Sequence, residues 1–171
     1  MLSIQKADKT DLQSILDLQY IAFQSEARLL NNYNIPPLKQ KISEITADFQ
    51  RGIILKAVDE KGRIVGSVRG YPENDTVYIG KLIVAPEMQG RGIGTKLLME
   101  IENVYPDKRY EIFTSSESDK NIRLYEKLGY KPLKSEHISE QIKMVFLEKC
   151  DNLSFSAILH KCLKNLDFLF Y

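Results

Sequence analysis
Cysteine is scarce in this chain of 171 residues, tryptophan is absent, and only two histidines occur. The cysteines, Cys150 and Cys162, both lie near the C-terminus without Cys-x-x-Cys or Cys/His spacing. That excludes a disulfide scaffold or a metal module and leaves two reduced, partly buried thiols as the expectation. No run of about 18 apolar residues is present, and the opening MLSIQKADKT lacks the apolar centre of a secretory signal. A surplus of one charge is missing too: 24 Lys and Arg stand against 23 Asp and Glu. No broad field for nucleic acid or an acidic membrane follows. A soluble, cytoplasmic protein with no metal, nucleic-acid or membrane partner is expected, long enough to bury a core without cross-links.

What is present is ordered punctuation. Leu2, Ile4 and Ala7 alternate as a first strand. Thr10 and Gln13 have capping-box spacing, and Leu12, Ile15, Leu16, Gln19, Ala22, Phe23, Glu26 and Leu30 then recur at helical steps. Glu26 sits on that apolar stripe, a carboxylate placed at a cleft or else a solvated residue where the helix frays. Asn31–Pro37 is a loop containing Tyr33, and Leu38, Ile42, Ile45 and Phe49 mark a further helix ended by Gly52. Ile53–Val58, Ile64–Tyr71 and Thr76–Val84 read as three successive antiparallel strands with turns at Asp59–Arg63 and Pro72–Asp75. A helix to about Val104, a strand Arg109–Ser115, a helix capped by Asp119 and ended by Gly129, and two closing strands complete an α+β order.

The stretch Leu82–Leu98, LIVAPEMQGRGIGTKLL, organises the rest. A strand passes through glycines at alternate positions into a helix, whose first N–H groups face outward at the positive end of its dipole. Phosphate suits that place. The order Gly94-Thr95-Lys96 is wrong for a P-loop, and Gly90-x-Gly92-x-Gly94 is not a dinucleotide fingerprint. The string Gln89-Gly90-Arg91-Gly92-Ile93-Gly94 after Leu82-x-Val84-x-Pro86 instead resembles the coenzyme A pyrophosphate loop of the GNAT superfamily of N-acetyltransferases. A second string, Asn121-Ile122-Arg123-Leu124-Tyr125-Glu126-Lys127-Leu128-Gly129-Tyr130, resembles the family's N-x-x-x-x-Y-x-K-x-G-[FY] signature.

The resemblance implies the GNAT fold: a mixed, mostly antiparallel twisted sheet of about seven strands, helices on both faces, and a splay between the strands flanking the coenzyme-binding helix. It implies acetyl transfer from acetyl-coenzyme A to a primary amine of a small molecule or protein. Coenzyme contacts would come from Leu82, Ile83, Val84, Gln89, Gly90, Arg91, Gly92, Ile93, Gly94, Thr95, Asn121, Tyr125 and Lys127, with a backbone N–H near Ile83 or Val84 facing the oxyanion. Tyr125 matches the general acid by position. Glu26 is the preferred base, with Glu73, the Tyr78 hydroxyl and a backbone-bound water as alternatives. A non-catalytic coenzyme A sensor or assembly module is the competing reading. Glu26, Glu44, Asp48, Glu73 and Asp75 around the presumed pocket would suit a cationic amine. Residues 1–149 form the expected catalytic domain, and 150–171 a C-terminal amphipathic extension whose stripe, from Phe155 to Phe170, suits a homodimer contact.

Overall fold
The computed structural model describes residues 2–139 and 142–150. Its strands, β1 (Ser3–Lys6), β2 (Ile53–Val58), β3 (Ile64–Glu73), β4 (Thr76–Val84), β5 (Arg109–Ser115), β6 (Lys131–His137) and β7 (Lys143–Cys150), form one sheet in the order β1-β2-β3-β4-β5-β7-β6. Every neighbouring pair is antiparallel except β4 and β5. The helices are α1 (Leu12–Ala22), α2 (Gln24–Leu29), α3 (Pro36–Lys39), α4 (Ile42–Arg51), α5 (Ile93–Val104) and α6 (Asp119–Lys127). Parallel strands need a crossover, and α5 supplies it between β4 and β5. The expected α+β arrangement is therefore the observed one. The extension expected over 150–171 lies outside the described residues except for Cys150, which ends β7 with an exposed free thiol and not a partly buried one.

Strand β3 is buried along most of its length because helices cover both of its faces. On one side Gly66 and Gly70 let α5 approach closely: a Cβ on them would come within 3.0 Å of Leu97 and 2.9 Å of Ile101. Leu97, Leu98 and Ile101 are fully buried there, each side chain contributing about 1.5–3 kcal/mol of apolar burial. On the other side lie α1, through Leu12, Ile15 and Leu16, and α4, through Ile45.

That second face also holds a charge. Arg69, in the middle of β3, has no exposed surface. Its guanidinium donates to Asp48 at 2.6 Å, Gln40 at 3.0 Å and Gln19 at 2.6 Å. Gln19 in turn donates to the Pro37 carbonyl at 2.7 Å and to Gln40 at 3.0 Å. A hydrogen-bonded and paired cation is the form in which burial is tolerated. The network fastens the turn around α3 to both the sheet and α1.

Several local expectations are corrected. The helix expected from Leu12 to Leu30 breaks at Phe23, where the Gln24 amide donates to the Tyr20 carbonyl and the Ser25 hydroxyl to that of Ala22. Side chains competing for helix carbonyls favour such a break. Asp8 and Asp11, not Thr10 and Gln13, make the reciprocal cap. The chain is extended at Gln40 and Lys41, so α4 starts only at Ile42, which is 44% exposed. Asp119 opens α6 from inside, and Ser118 occupies the cap position.

Gly52 ends α4 where the chain enters the sheet. A Cβ there would stand 2.1 Å from the backbone carbonyl oxygen of Gly70, and backbone within a sheet has little room to retreat. Gly52→Ala should cost about 1–3 kcal/mol or more. A lower urea midpoint with an unchanged m-value is the expected record.

Candidate active site
The site begins where β4 and β5 stop pairing. They are in register from Thr76 opposite Arg109 to Ile79 opposite Ile112, after which β4 stays with β3 as far as Val84 and β5 stays with β7 as far as Ser115. A bulge in β4 accompanies the parting. Ser67 faces Ile83 but Arg69 faces Gly80, so Lys81 and Leu82 share the place opposite Val68. Lys81 has φ +51°. Such bulges bend a strand and end pairing, and here backbone of Gly80–Val84 is left beside an open cleft.

Beyond β4 the chain turns through Pro86–Met88 and reaches the glycines. Gly90 and Gly92 have φ +75° and +76°, and a Cβ on either would have no atom within 4 Å. Left-handed backbone beside open space is a cradle that side chains would fill. Gly92 precedes α5 and no side chain caps the helix, so the N–H groups of Ile93, Gly94 and Thr95 have no capping partner. The Ile93 side chain is buried, which leaves only its backbone for a ligand. Gln89 donates to the Val84 carbonyl at 3.2 Å and accepts from Lys120 at 2.6 Å. Arg91 is exposed beside the loop, its guanidinium 3.4 Å from the Glu87 carbonyl. The open turn, the uncapped helix and the nearby cations fit a diphosphate.

Helix α6 forms the other wall. Asn121 donates to Thr114 at 3.2 Å and to Ser118 at 3.0 Å. The Ser118 hydroxyl donates to Glu26 at 3.1 Å, tying α2 to the start of α6 across the cleft. Burial raises the Glu26 carboxyl above the ordinary carboxylate range, and the Ser118 hydrogen bond opposes that rise. One turn along α6, Tyr125 is 4% exposed, with its ring 6.1 Å from that of Tyr130. Its hydroxyl has no hydrogen-bond partner among the described residues. Burial first, and the Glu26 charge second, push this phenol far above its ordinary value, so it stays protonated. Tyr130 is differently placed: it donates to Glu102 at 2.8 Å and anchors the end of α6 to α5.

Two cavities meet between these walls. One, of about 420 Å³, runs along Leu82, Ile83, Val84, Gln89 and the first turn of α6. The other, of about 410 Å³, lies among α2, the turn at Ile35–Pro37, the parted strands and β7, and Tyr125 faces it. Phe23, Glu26, Leu82 and Asn121 border both.

Of the expected positions, Glu26, Leu82, Ile83, Val84, Gln89, Asn121 and Tyr125 line the two cavities, while residues 90–95 form the turn that follows Gln89 and line neither. Lys127 is exposed on the last turn of α6 and lines neither cavity. Lys120, at the other end of the helix, reaches Gln89 instead. Tyr33 is 57% exposed and also outside both cavities. The acidic surround expected of the pocket is corrected as well. Of its five residues only Glu26 lines a cavity. Glu44 accepts from the Lys41 N–H, Asp48 pairs with Arg69, Asp75 pairs with Lys108, and Glu73 is exposed at the end of β3. Ser118 and Lys120 escaped the sequence reading because their partners lie 92 and 31 residues away. Among the described residues no cluster of His, Cys, Asp and Glu could hold a metal ion, and no helix is long and apolar enough to cross a membrane.

The fold has close counterparts. The ribosomal-protein-S18-alanine N-acetyltransferase of Escherichia coli superposes with a TM-score of 0.71 at 15% identity, over 91% of this chain and 100% of that one. The PaiA N-acetyltransferase of Thermoplasma acidophilum, in complex with coenzyme A, gives 0.73 at 16% identity, over 88% and 99%. In sequence, the UPF0157 protein YqkA of Bacillus subtilis (strain 168) is 24% identical over 128 residues, 74% of this chain and 36% of that protein. The chain therefore spans about a third of the length of that curated relative. Residues 12–130 match the acetyltransferase (GNAT) family model, and that stretch holds the glycine turn, the parted strands and the Asn121–Tyr130 string: the chain belongs to the GNAT acetyltransferase family.

Proposed function
We propose that the protein transfers an acetyl group from acetyl-coenzyme A to a primary amine. The carrying observation is the junction of the two cavities at Glu26, Leu82 and Asn121, between an anion-ready helix terminus on one side and a separate chamber on the other. The coenzyme diphosphate would occupy the Gln89–Thr95 turn, with Arg91 and Lys120 nearby. Its pantetheine arm would lie along the unpaired backbone of Leu82–Val84, within reach of Asn121.

An alkylammonium of pKa about 10.4 is neutral in only about one molecule in 2,500 at pH 7. A base must therefore take a proton before attack. Glu26 is the carboxylate at the junction, and its raised pKa strengthens it as an acceptor. The free amine then attacks the thioester carbonyl, and a backbone N–H at Ile83 or Val84 stabilises the oxyanion. When the carbon–sulfur bond breaks, the departing thiolate takes a proton from Tyr125, which burial keeps protonated, and the proton that the newly acylated nitrogen loses restores the phenol.

Calorimetry with acetyl-coenzyme A, followed by thiol release over a panel of amines, tests the reading. Micromolar binding with amine-dependent release is expected. Binding without release for any amine would favour a coenzyme A sensor. Tyr125→Phe should lower kcat about 10²-fold while the Kd for acetyl-coenzyme A stays within about twofold, since the lost hydroxyl has no partner among the described residues whose desolvation must be repaid. Unchanged turnover would remove the phenol from the mechanism.

A further inference from the structure
We infer that the acceptor is a single primary amine on an apolar body, an alkyl- or arylalkylamine, and that polyamines and other polycations are disfavoured. The inference rests on the transferase reading and adds the chemistry of the acceptor chamber. The second cavity is walled by apolar side chains from four separate parts of the chain, among them Leu30, Ile35, Ile112, Phe113, Met144 and Phe146. Among the described residues it has one carboxylate, Glu26, at the border with the coenzyme cavity. One ammonium can be met there, at the point where it would be deprotonated and acetylated.

Among the described residues no second carboxylate lines the chamber to meet another ammonium. Asp48, Glu44 and Asp75 are engaged elsewhere, and among the described residues the other charged residue lining the chamber is Lys81. The Lys81 ammonium lies 5.8 Å from the centre of the Phe23 ring and forms no ion pair among the described residues. Burial lowers its pKa, the mark of a cation in surroundings that solvate charge poorly. A polycation would bring further charge into apolar walls that already hold a lysine with no ion pair among the described residues. An apolar body would instead bury its methylenes against Phe113, Phe146 and Met144, each methylene being worth about fourfold in affinity.

The test is thiol release at saturating acetyl-coenzyme A with n-alkylamines from propyl to octyl, 2-phenylethylamine, putrescine and spermidine. Expected is a rise in kcat/KM of about fourfold per methylene along the early members, with 2-phenylethylamine at least about tenfold above spermidine. Phe113 is half exposed at the chamber wall, and Phe113→Asp should flatten the alkyl series while leaving the Kd for acetyl-coenzyme A unchanged. A flat wild-type series, or spermidine or putrescine ahead of the apolar amines, overturns the acceptor class and leaves the transferase standing. Acetyl-coenzyme A binding with no thiol release from any amine overturns the transferase reading, and this inference with it.

Discussion

Glu26→Gln is expected to lower kcat/KM by about 10²–10⁴-fold without weakening acetyl-coenzyme A binding or the fold. Two features of the site lead there. Among the described residues Glu26 is the one carboxylate on the border of both cavities, and burial raises its pKa while the Ser118 hydrogen bond only partly restrains it. In the wild type, kcat/KM should therefore rise with pH along a limb whose midpoint lies above the ordinary glutamate value of about 4.3. The variant should lose that limb. Stability should respond in the opposite direction. Because the folded-state pKa is raised, the protonated carboxyl favours the native state, and that contribution is lost as pH rises through the folded value. Glutamine carries no such cost, so the variant's urea midpoint at pH 8 should equal or exceed the wild type's. Loss of stability together with activity would make Glu26 a structural tie between α2 and α6.

The readings that survive comparison with the structure are those whose cause is local. Gly90 and Gly92 adopt a left-handed conformation beside open space, and a glycine spacing between an apolar strand and a helix announces that need directly. The crossover was legible for the same reason: a strand, a tight turn, a helix and a strand of β-formers allow few connections. The Gly129-Tyr130 end of the second string is also local in part. Gly129 has φ +92° and ends α6, and the aromatic residue after it returns to the core against α5.

The chamber was not legible, because no segment encodes it. Its walls come from α2, the Ile35–Pro37 turn, the parted strands and β7, and they are apolar although nearby sequence is rich in carboxylates. Glu44, Asp48 and Asp75 are held by local or distant partners that composition does not reveal, and Glu73 is exposed at the end of β3. The break at Phe23 was hidden in a similar way. An apolar period continues through it, while the side chains of Gln24 and Ser25 take helix carbonyls. Along α6 the first turn lines the cavity beside the glycine turn, and there Lys120, not Lys127, reaches Gln89.

The largest expected loss of stability is at Asp48. Arg69 has a side chain only 1% exposed, and Asp48 is its one ion-pair partner among the described residues, at 2.6 Å. Its Nε already lacks a hydrogen-bond partner. Asp48→Ala leaves the guanidinium with two amide oxygens and no counter-charge, which should cost about 3–5 kcal/mol out of the roughly 5–15 typical of a domain. Replacing both partners, Asp48→Leu with Arg69→Met, should recover much of that loss, since the penalty comes from an uncompensated charge and not from the absence of a salt bridge. Urea titrations of the single and double variants measure the difference, and additive losses would refute this account. The same network reaches the site, because Gln19 accepts from Arg69 and donates to the carbonyl of Pro37, a chamber residue. Under conditions where Asp48→Ala remains folded, the acceptor KM should rise while the Kd for acetyl-coenzyme A holds, because Asp48 supports only the wall that faces the amine.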